Sequence, residues 1–230
     1  MIMNQNDNRI NLRKVLLFCG VISSLLYVSI DIIAALIWMD SYNYASQAFS
    51  ELMAFEAPTR PFVLSFNILY NVCVLAFALC VWSTDNKMRS LRVTGITLIG
   101  YAVIGLVTPT FFPAPMRGVE GTLRNAMHLP LTGLEVLLIL SSIVCGAVAL
   151  GKWFRIYSGC TLLIITFCGV WAGTFVSKLN SDQPTIWLGV IERINIYGFM
   201  LWVIILAITL LRMEKSRRFS LLQMKILHRD

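Results

Sequence analysis

Six long apolar runs constrain this chain more than any other feature. The first reads "VLLFCGVISSLLYVSIDIIAALIWM", Val15 to Met39. At about 1.5 Å rise per residue, such a run as a helix crosses a hydrocarbon core of about 30 Å. Five more follow, Phe62–Ser83, Val93–Thr110, Met127–Leu150, Tyr157–Leu179 and Ile186–Leu211. The runs are continuous rather than alternating, and backbone polar groups in lipid must be satisfied within each segment, so helices are expected and strands are not. Only 13% of the 230 residues are charged, against 57% hydrophobic. A soluble domain has roughly a quarter charged residues and needs them to coat its surface.

The expected fold is therefore an all-α integral membrane bundle of six helices, one domain over residues 1–230, with no linker and no convincing internal repeat. Val15–Met39 exceeds the apolar length of a cleavable leader and reads as a signal anchor. Lys and Arg set the orientation. The N-terminal tail, the second and fourth connections and the C-terminal tail hold 14 of the 19 basic residues. Both termini are accordingly expected in the cytoplasm and the protein in the plasma (inner) membrane. The net charge of +7 follows from this bias and from attraction to anionic lipid, so no nucleic-acid partner is implied.

The six cysteines, Cys19, Cys73, Cys80, Cys145, Cys160 and Cys168, fall inside apolar runs and form no CxxC pair. They read as small packing residues, not as a disulfide framework or a zinc site. No metal and no cofactor is expected. Gly169 and Gly173 make a GxxxG pattern in span five, and Gly95, Gly100 and Gly105 line span three. Both favour close helix approach, within the chain before between chains. The C-terminal "EKSRRFSLLQMKILHRD" is either an interfacial helix or a basic tail that obeys the orientation rule.

The connection between spans one and two is long and acidic, "YASQAFSELMAFEAPTRPF" over residues 44–62. At 100° per residue, Asn43, Ser46, Gln47, Ser50 and Glu51 share one arc and Ala45, Ala48, Phe49 and Leu52 the other. An amphipathic extracytoplasmic helix of about three turns is expected, ended by Pro58. "TPTFFPAP", residues 108–115, places three prolines at the end of span three, where an extended segment should replace regular helix.

Ionisable groups inside the spans are costly in lipid and should face the bundle interior. Asp31, His128, Glu135, Glu192 and Arg193 all fall in the outer half, as do Asn67, Asn71 and Asn195. His128 and Glu135 are seven apart, and Asn67 and Asn71 four apart, so each pair shares a helix face. A polar pocket open to the outside, partly covered by residues 43–56, is the main expectation. Its candidate ligand-binding residues are Ser50, Glu51, Asn67, His128, Glu135, Glu192 and Arg193. The bland alternative is that these groups only pair with one another, Arg193 with Asp31, Glu135 or Glu192.

"SEL" at Ser50–Leu52, "FN" at Phe66–Asn67, "FFP" at Phe111–Pro113, a histidine at the head of span four and "ERINIYGFMLW" at Glu192–Trp202 together resemble the domain-of-unknown-function 998 family of bacterial and archaeal membrane proteins. Met53 stands where that pattern often has glycine. The resemblance implies a six-span plasma-membrane protein without an established activity, and it matches Ser50, Glu51, Asn67, His128, Glu192 and Arg193 to motif positions.

Three function classes stay open on the sequence. The first is binding or transport of a small polar or amphiphilic ligand, such as a lipid headgroup. The second is an intramembrane lipid-acting enzyme using Ser50, or His128 with neighbouring carboxylates; no complete catalytic set is present. The third is a structural membrane subunit without a ligand. The bilayer is the one partner implied in every case, and oligomeric state is left open.

Overall fold

The computed structural model describes residues 2–84, 88–117, 122–180 and 183–227, and the side chains of these except 2–10, 124, 125, 180 and 217–227. Lys87, His228 and Arg229, and the side chains of Arg9, Arg124, Arg217, Arg218 and Lys225, lie outside the described residues. Among the described residues the regular structure is helical. The long helices are α1 (Ile2–Ile37), α2 (Arg60–Trp82), α3 (Arg89–Phe111), α5 (His128–Ala149), α6 (Lys152–Gly173) and α8 (Leu188–Leu227). Short helices α4 (Leu123–Ala126) and α7 (Val176–Asn180) lie between them. Six segments are long and apolar enough to cross a membrane: Asn11–Ile37, Arg60–Trp82, Arg89–Phe111, His128–Ala149, Lys152–Leu179 and Leu188–Ser216. The expected spans are all present, with ends shifted by a few residues. Span five starts earlier than its apolar run because Gly151 caps the helix and Trp153, 83% exposed, and Arg155 project from its first turns.

The six long helices form a closed ring. Each packs against its neighbour in chain order, α1 on α2, α2 on α3, α3 on α5, α5 on α6 and α6 on α8, and α8 closes back on α1. An even number of crossings puts both ends of the chain at one end of the ring, here the terminal end. The 38–59 connection covers the opposite, loop end. Lipid offers apolar side chains as good a solvent as the bundle interior, so close packing and polar contacts must hold the ring. Gly95 shows the first: a Cβ there would lie 2.4 Å from the Trp82 backbone nitrogen. Gly169 faces Asn195 on α8, so the GxxxG pattern serves packing within the chain at that position, while Gly173 has open space around it.

The terminal half of the ring is filled by rings and branched side chains. Phe77, Leu91, Leu98, Ile143, Phe199, Trp202 and Leu206 are all at most 1% exposed. Trp202 donates its Nε1–H to Ser158 Oγ at 2.9 Å, which meets the one polar need of that side chain. Here α1 and α8 also meet through Arg13 and Glu214 at 2.5 Å. Helix α8 runs unbroken to Leu227, so the backbone past the last span continues that helix instead of forming a separate interfacial one.

Two local expectations are corrected. Helix α3 carries Pro109 inside its final turn and ends only at Phe111, with the extended segment starting after it. Proline has no N–H for the carbonyl four residues earlier, that of Gly105. Asn67 supplies the missing donor, its Nδ2–H reaching Gly105 O at 3.0 Å. Arg60 then binds Pro109 O at 3.1 Å. The break expected at this proline is thus repaired from α2. The second correction concerns residues 43–56. They form turns and a 3-10 helix, Phe49–Met53, not a three-turn amphipathic α-helix. Polar side chains there bind the backbone themselves: Asn43 Oδ1 accepts from the N–H groups of Ala45 and Ser46 at 3.0 and 3.2 Å, and Gln47 Oε1 accepts from Asn43 N–H at 2.6 Å. Such bonds compete with the helical ladder and win where Asn and Ser recur.

Candidate functional site

The loop end is organised by Arg193 on α8 and Asp31 on α1, 3% and 1% exposed. Nε and Nη2 of Arg193 donate to the two carboxylate oxygens, both at 2.8 Å. Nη2 also donates to Tyr42 Oη at 2.8 Å, and Nη1 to the carbonyls of Tyr44, Gln47 and Gly189 at 2.8, 3.1 and 3.1 Å. All five N–H donors of the guanidinium are thereby used. The Tyr44 ring lies under the guanidinium, 3.6 Å from its carbon, in cation–π geometry. Asp31 accepts two further bonds, from Tyr44 Oη at 3.1 Å and from Tyr197 Oη. Burial pushes the hydroxyls of Tyr42 and Tyr44, both in the connection, above their ordinary range, so they are protonated donors. Gly189 allows this approach. A Cβ there would come within 2.4 Å of Tyr44 O and 2.5 Å of Gln47 O.

A second clamp holds the same connection. Glu51, 5% exposed, accepts Arg117 Nε and Nη2 at 2.7 and 2.8 Å, Gln47 Nε2 at 2.9 Å and the Ala48 N–H at 2.8 Å. Arg117 also reaches Ser46 O at 2.9 Å, and Thr185 Oγ1 reaches the same carbonyl at 2.7 Å. Thr59 Oγ1 holds Leu52 O at 2.8 Å. Trp187, just before α8, has φ of 70°, a left-handed conformation that costs a bulky residue roughly 1–2 kcal/mol. Thr185, through Ser46 O, and Val190, whose N–H donates to Ala45 O at 3.2 Å, tie the chain to the connection on either side of it.

Of the expected residues, Glu51 and Arg193 are fully engaged with protein partners and leave no free group for a ligand. Asn67 is spent on the α2–α3 seam, and Asn71 donates to Asn67 O and Oδ1 at 2.9 and 3.1 Å. Nδ1 of His128 lies 2.9 Å from Phe112 O; a carbonyl only accepts, so Nδ1 carries the hydrogen. Neither Ser50 nor Glu51 is bonded to His128. His128 and Glu135 do share the face of α5 toward α3, for Glu135 meets Thr108, one turn before Phe112.

Glu135 and Glu192 differ from the rest. Neither is ion-paired among the described residues. Glu192 Oε2 accepts the Phe49 N–H at 2.9 Å. Tyr27 on α1 lies within Coulombic reach of Asp31, Glu135, Glu192 and Tyr101. Its ring packs on Phe49 and Tyr70 at 4.8 and 4.9 Å between centroids. Tyr70 and Tyr101 share a hydroxyl contact at 2.8 Å, and the Tyr101 ring meets Phe199 below it at 5.2 Å. Five helices thus offer Tyr27, Tyr70, Tyr101, Glu135 and Glu192 to one level, between Phe49 and the aromatic floor. Tyr27, Glu135 and Glu192 point inward and still keep accessible surface.

Residue reasoning missed Tyr42, Tyr44, Tyr197, Tyr27 and Arg117. Two carried a signal: Tyr197 follows Arg193 by four and Tyr27 precedes Asp31 by four, so each shares a helix face with a recognised charge. Arg117 lies in a connection, where no periodicity ties it to Glu51. Among the described residues no three His, Cys, Asp or Glu side chains are grouped to hold a metal ion, and the cysteines are free thiols.

Six apolar helices in a closed ring with buried charge at one level define a multi-pass transmembrane protein. Residues 21–209 match the model of the family described as protein of unknown function, DUF998, and the chain belongs to that family. No curated protein and no solved structure matches it.

Proposed function

We propose that this protein binds a small polar or amphiphilic ligand in a chamber at the loop end of the ring, and that it sits in the plasma membrane with both termini in the cytoplasm and the 38–59 connection outside. One observation carries the reading. Glu135 and Glu192 face inward from different helices without a salt bridge among the described residues, while Arg117 and Arg193, the latter within Coulombic reach of Glu192, are each committed to another carboxylate. A carboxylate inside a membrane costs several kcal/mol unless paired or hydrated. Two such groups at inward, accessible positions make sense if water or a ligand reaches them. The structural-subunit reading is favoured by the Asp31–Arg193 and Glu51–Arg117 clamps and by the bond from Phe49 N–H to Glu192, and leaves Glu135 and the second oxygen of Glu192 unexplained. For the enzyme reading, Ser50 and Glu51 are not bonded to His128, and what it keeps is the shared α5 face of His128 and Glu135.

Cysteine accessibility tests the chamber. In a variant with the native cysteines replaced, Glu135→Cys should react with a small hydrophilic thiol reagent in the folded protein. Thiols reactive only after denaturation would show solid packing there and end the reading. The orientation is tested in intact cells: Glu56→Cys, exposed in the connection, should react with a membrane-impermeant maleimide.

A further inference from the structure

The connection that covers the loop end is bolted down. It is held by Arg193 through two of its carbonyls, by Arg117 through Ser46 and Glu51, by Thr185 through Ser46 and by Glu192 through Phe49. The side wall is not. Helix α5 has no buried residue from His128 to Ser141, whereas Ser142, Ile143 and Gly146 in its terminal half are all buried. Glu135 lies in the uncovered stretch. The α5–α6 contact is the least extensive of the six neighbouring pairs, and α5 barely meets α8 across the ring. The weakest part of the wall therefore stands at the level of the chamber.

The lining selects the chemistry. Every donor of Arg193 is spent on protein acceptors, so a phosphate, sulfate or carboxylate head would find no free guanidinium there. What remains is acceptor-rich: the second oxygen of Glu192, the carboxylate of Glu135, and the hydroxyl of Tyr27, which lies deep in the bundle and bonds none of the described residues. Aromatic faces of Tyr27, Tyr70 and Tyr101 surround them. A primary ammonium has three N–H donors and a full charge, and both carboxylates and aromatic faces attract it.

We propose that the chamber opens sideways into the bilayer beside α5, at its seam with α6, and takes the amine head of a lipid-like amphiphile whose chain stays in the membrane. This rests on the ligand-chamber reading and adds the ligand class and its route. The amine replaces the missing partner of Glu135 and Glu192. The apolar chain leaves through the loosely packed α5–α6 wall, so the clamped connection need not open.

Native mass spectrometry from nanodiscs of zwitterionic lipid tests it with four probes: dodecylamine, 1-dodecanol, dodecanoate and butylamine. Dodecylamine should bind one per protein and at least tenfold tighter than dodecanol or dodecanoate. Glu135→Gln and Glu192→Gln should each weaken it at least tenfold. Tyr27→Phe, which removes one hydroxyl and leaves the ring, should weaken it several-fold. Dodecanoate binding as tightly as the amine, or Gln variants binding as wild type, would overturn the amine assignment. Butylamine binding as tightly as dodecylamine would overturn the sideways route and leave the chamber standing. If no probe binds and Glu135→Cys is reactive in the folded protein, the chamber exists and the ligand class is wrong. If that cysteine is unreactive, the chamber itself is wrong.

Discussion

The seam between α1 and α8 closes the ring, and it carries an arginine–carboxylate pair at each end. At the loop end Arg193 and Asp31 have side chains 4% and 1% exposed, and every donor is aligned with an acceptor. At the terminal end Arg13 and Glu214 are as close, 2.5 Å, but their side chains are 27% and 19% exposed, and Arg13 Nε finds no well-aligned hydrogen-bond acceptor. The same two residue types on the same two helices thus do different things. Burial and the supporting tyrosines turn one pair into a node on which the connection hangs. The other is one contact among many beside a core already filled by Trp202 and Phe77.

The largest test of this contrast is Arg193→Ala. It leaves Asp31 buried without its counter-charge and strips the connection of two carbonyl anchors, and breaking a buried pair from one side costs about 3–5 kcal/mol. Thermal unfolding of the detergent-solubilised protein should show a stability loss of that size or a failure to accumulate. Arg193→Lys should recover little, because an ammonium cannot serve Asp31 in bidentate fashion while reaching Tyr42 and three carbonyls. A melting temperature unchanged in Arg193→Ala would mean that the node is no node.

Asn67→Leu comes next and probes the α2–α3 seam. It removes the donor that replaces the absent Pro109 N–H and leaves Gly105 O unsatisfied in the membrane, at a cost of roughly 1–3 kcal/mol. Restoring a backbone donor with Pro109→Ala in the same chain should return most of that loss, read as a double-mutant cycle by thermal unfolding. Simple additivity would show that Asn67 and Pro109 are not coupled.

Much of this was legible in the residues. Length and apolarity determine six helices, because lipid leaves the backbone no other way to satisfy itself. Asp31, Glu135, Glu192 and Arg193 announce an interior level by their cost alone. What stayed hidden was pairing. That Arg193 meets Asp31, and Glu192 does not, depends on how α8 turns against α1, and no periodicity within one segment reports the rotation between two. The connection misled for a different reason. Its pattern fits a helical wheel, yet Asn43 and Gln47 spend their side chains on the backbone, and Glu51 turns inward to Arg117. The missing donor of Pro109 is visible in the chain, while Asn67, the group that replaces it, lies 42 residues earlier in sequence.

A smaller effect separates the two ends by pH. Tyr42 in the connection has its hydroxyl pushed up by burial from an ordinary value of about 10. The folded form then holds its proton where the unfolded form begins to lose it. The contribution is full below about pH 10 and is lost as pH rises from there toward the folded value. Stability should therefore decline on the alkaline side above about pH 10, and Tyr42→Phe should flatten that decline at some cost near neutrality, where Arg193 loses one acceptor. A decline of equal slope in the variant would assign it to other groups.

The smallest expected effect is the mirror of the first. Glu214→Gln removes the charge at the terminal end of the same seam, and partly exposed pairs contribute about 0–1 kcal/mol. Added salt should reproduce most of whatever the substitution does, since charges open to solvent are screened beyond about 8 Å at physiological ionic strength, while the Asp31–Arg193 node should barely respond. Thermal unfolding of wild type and Glu214→Gln at low and high salt therefore measures the difference between the two ends directly. A loss in Glu214→Gln comparable with that in Arg193→Ala would show that closure of the ring depends on charge at both ends, and that the tyrosines and carbonyls around Arg193 add less than their geometry suggests.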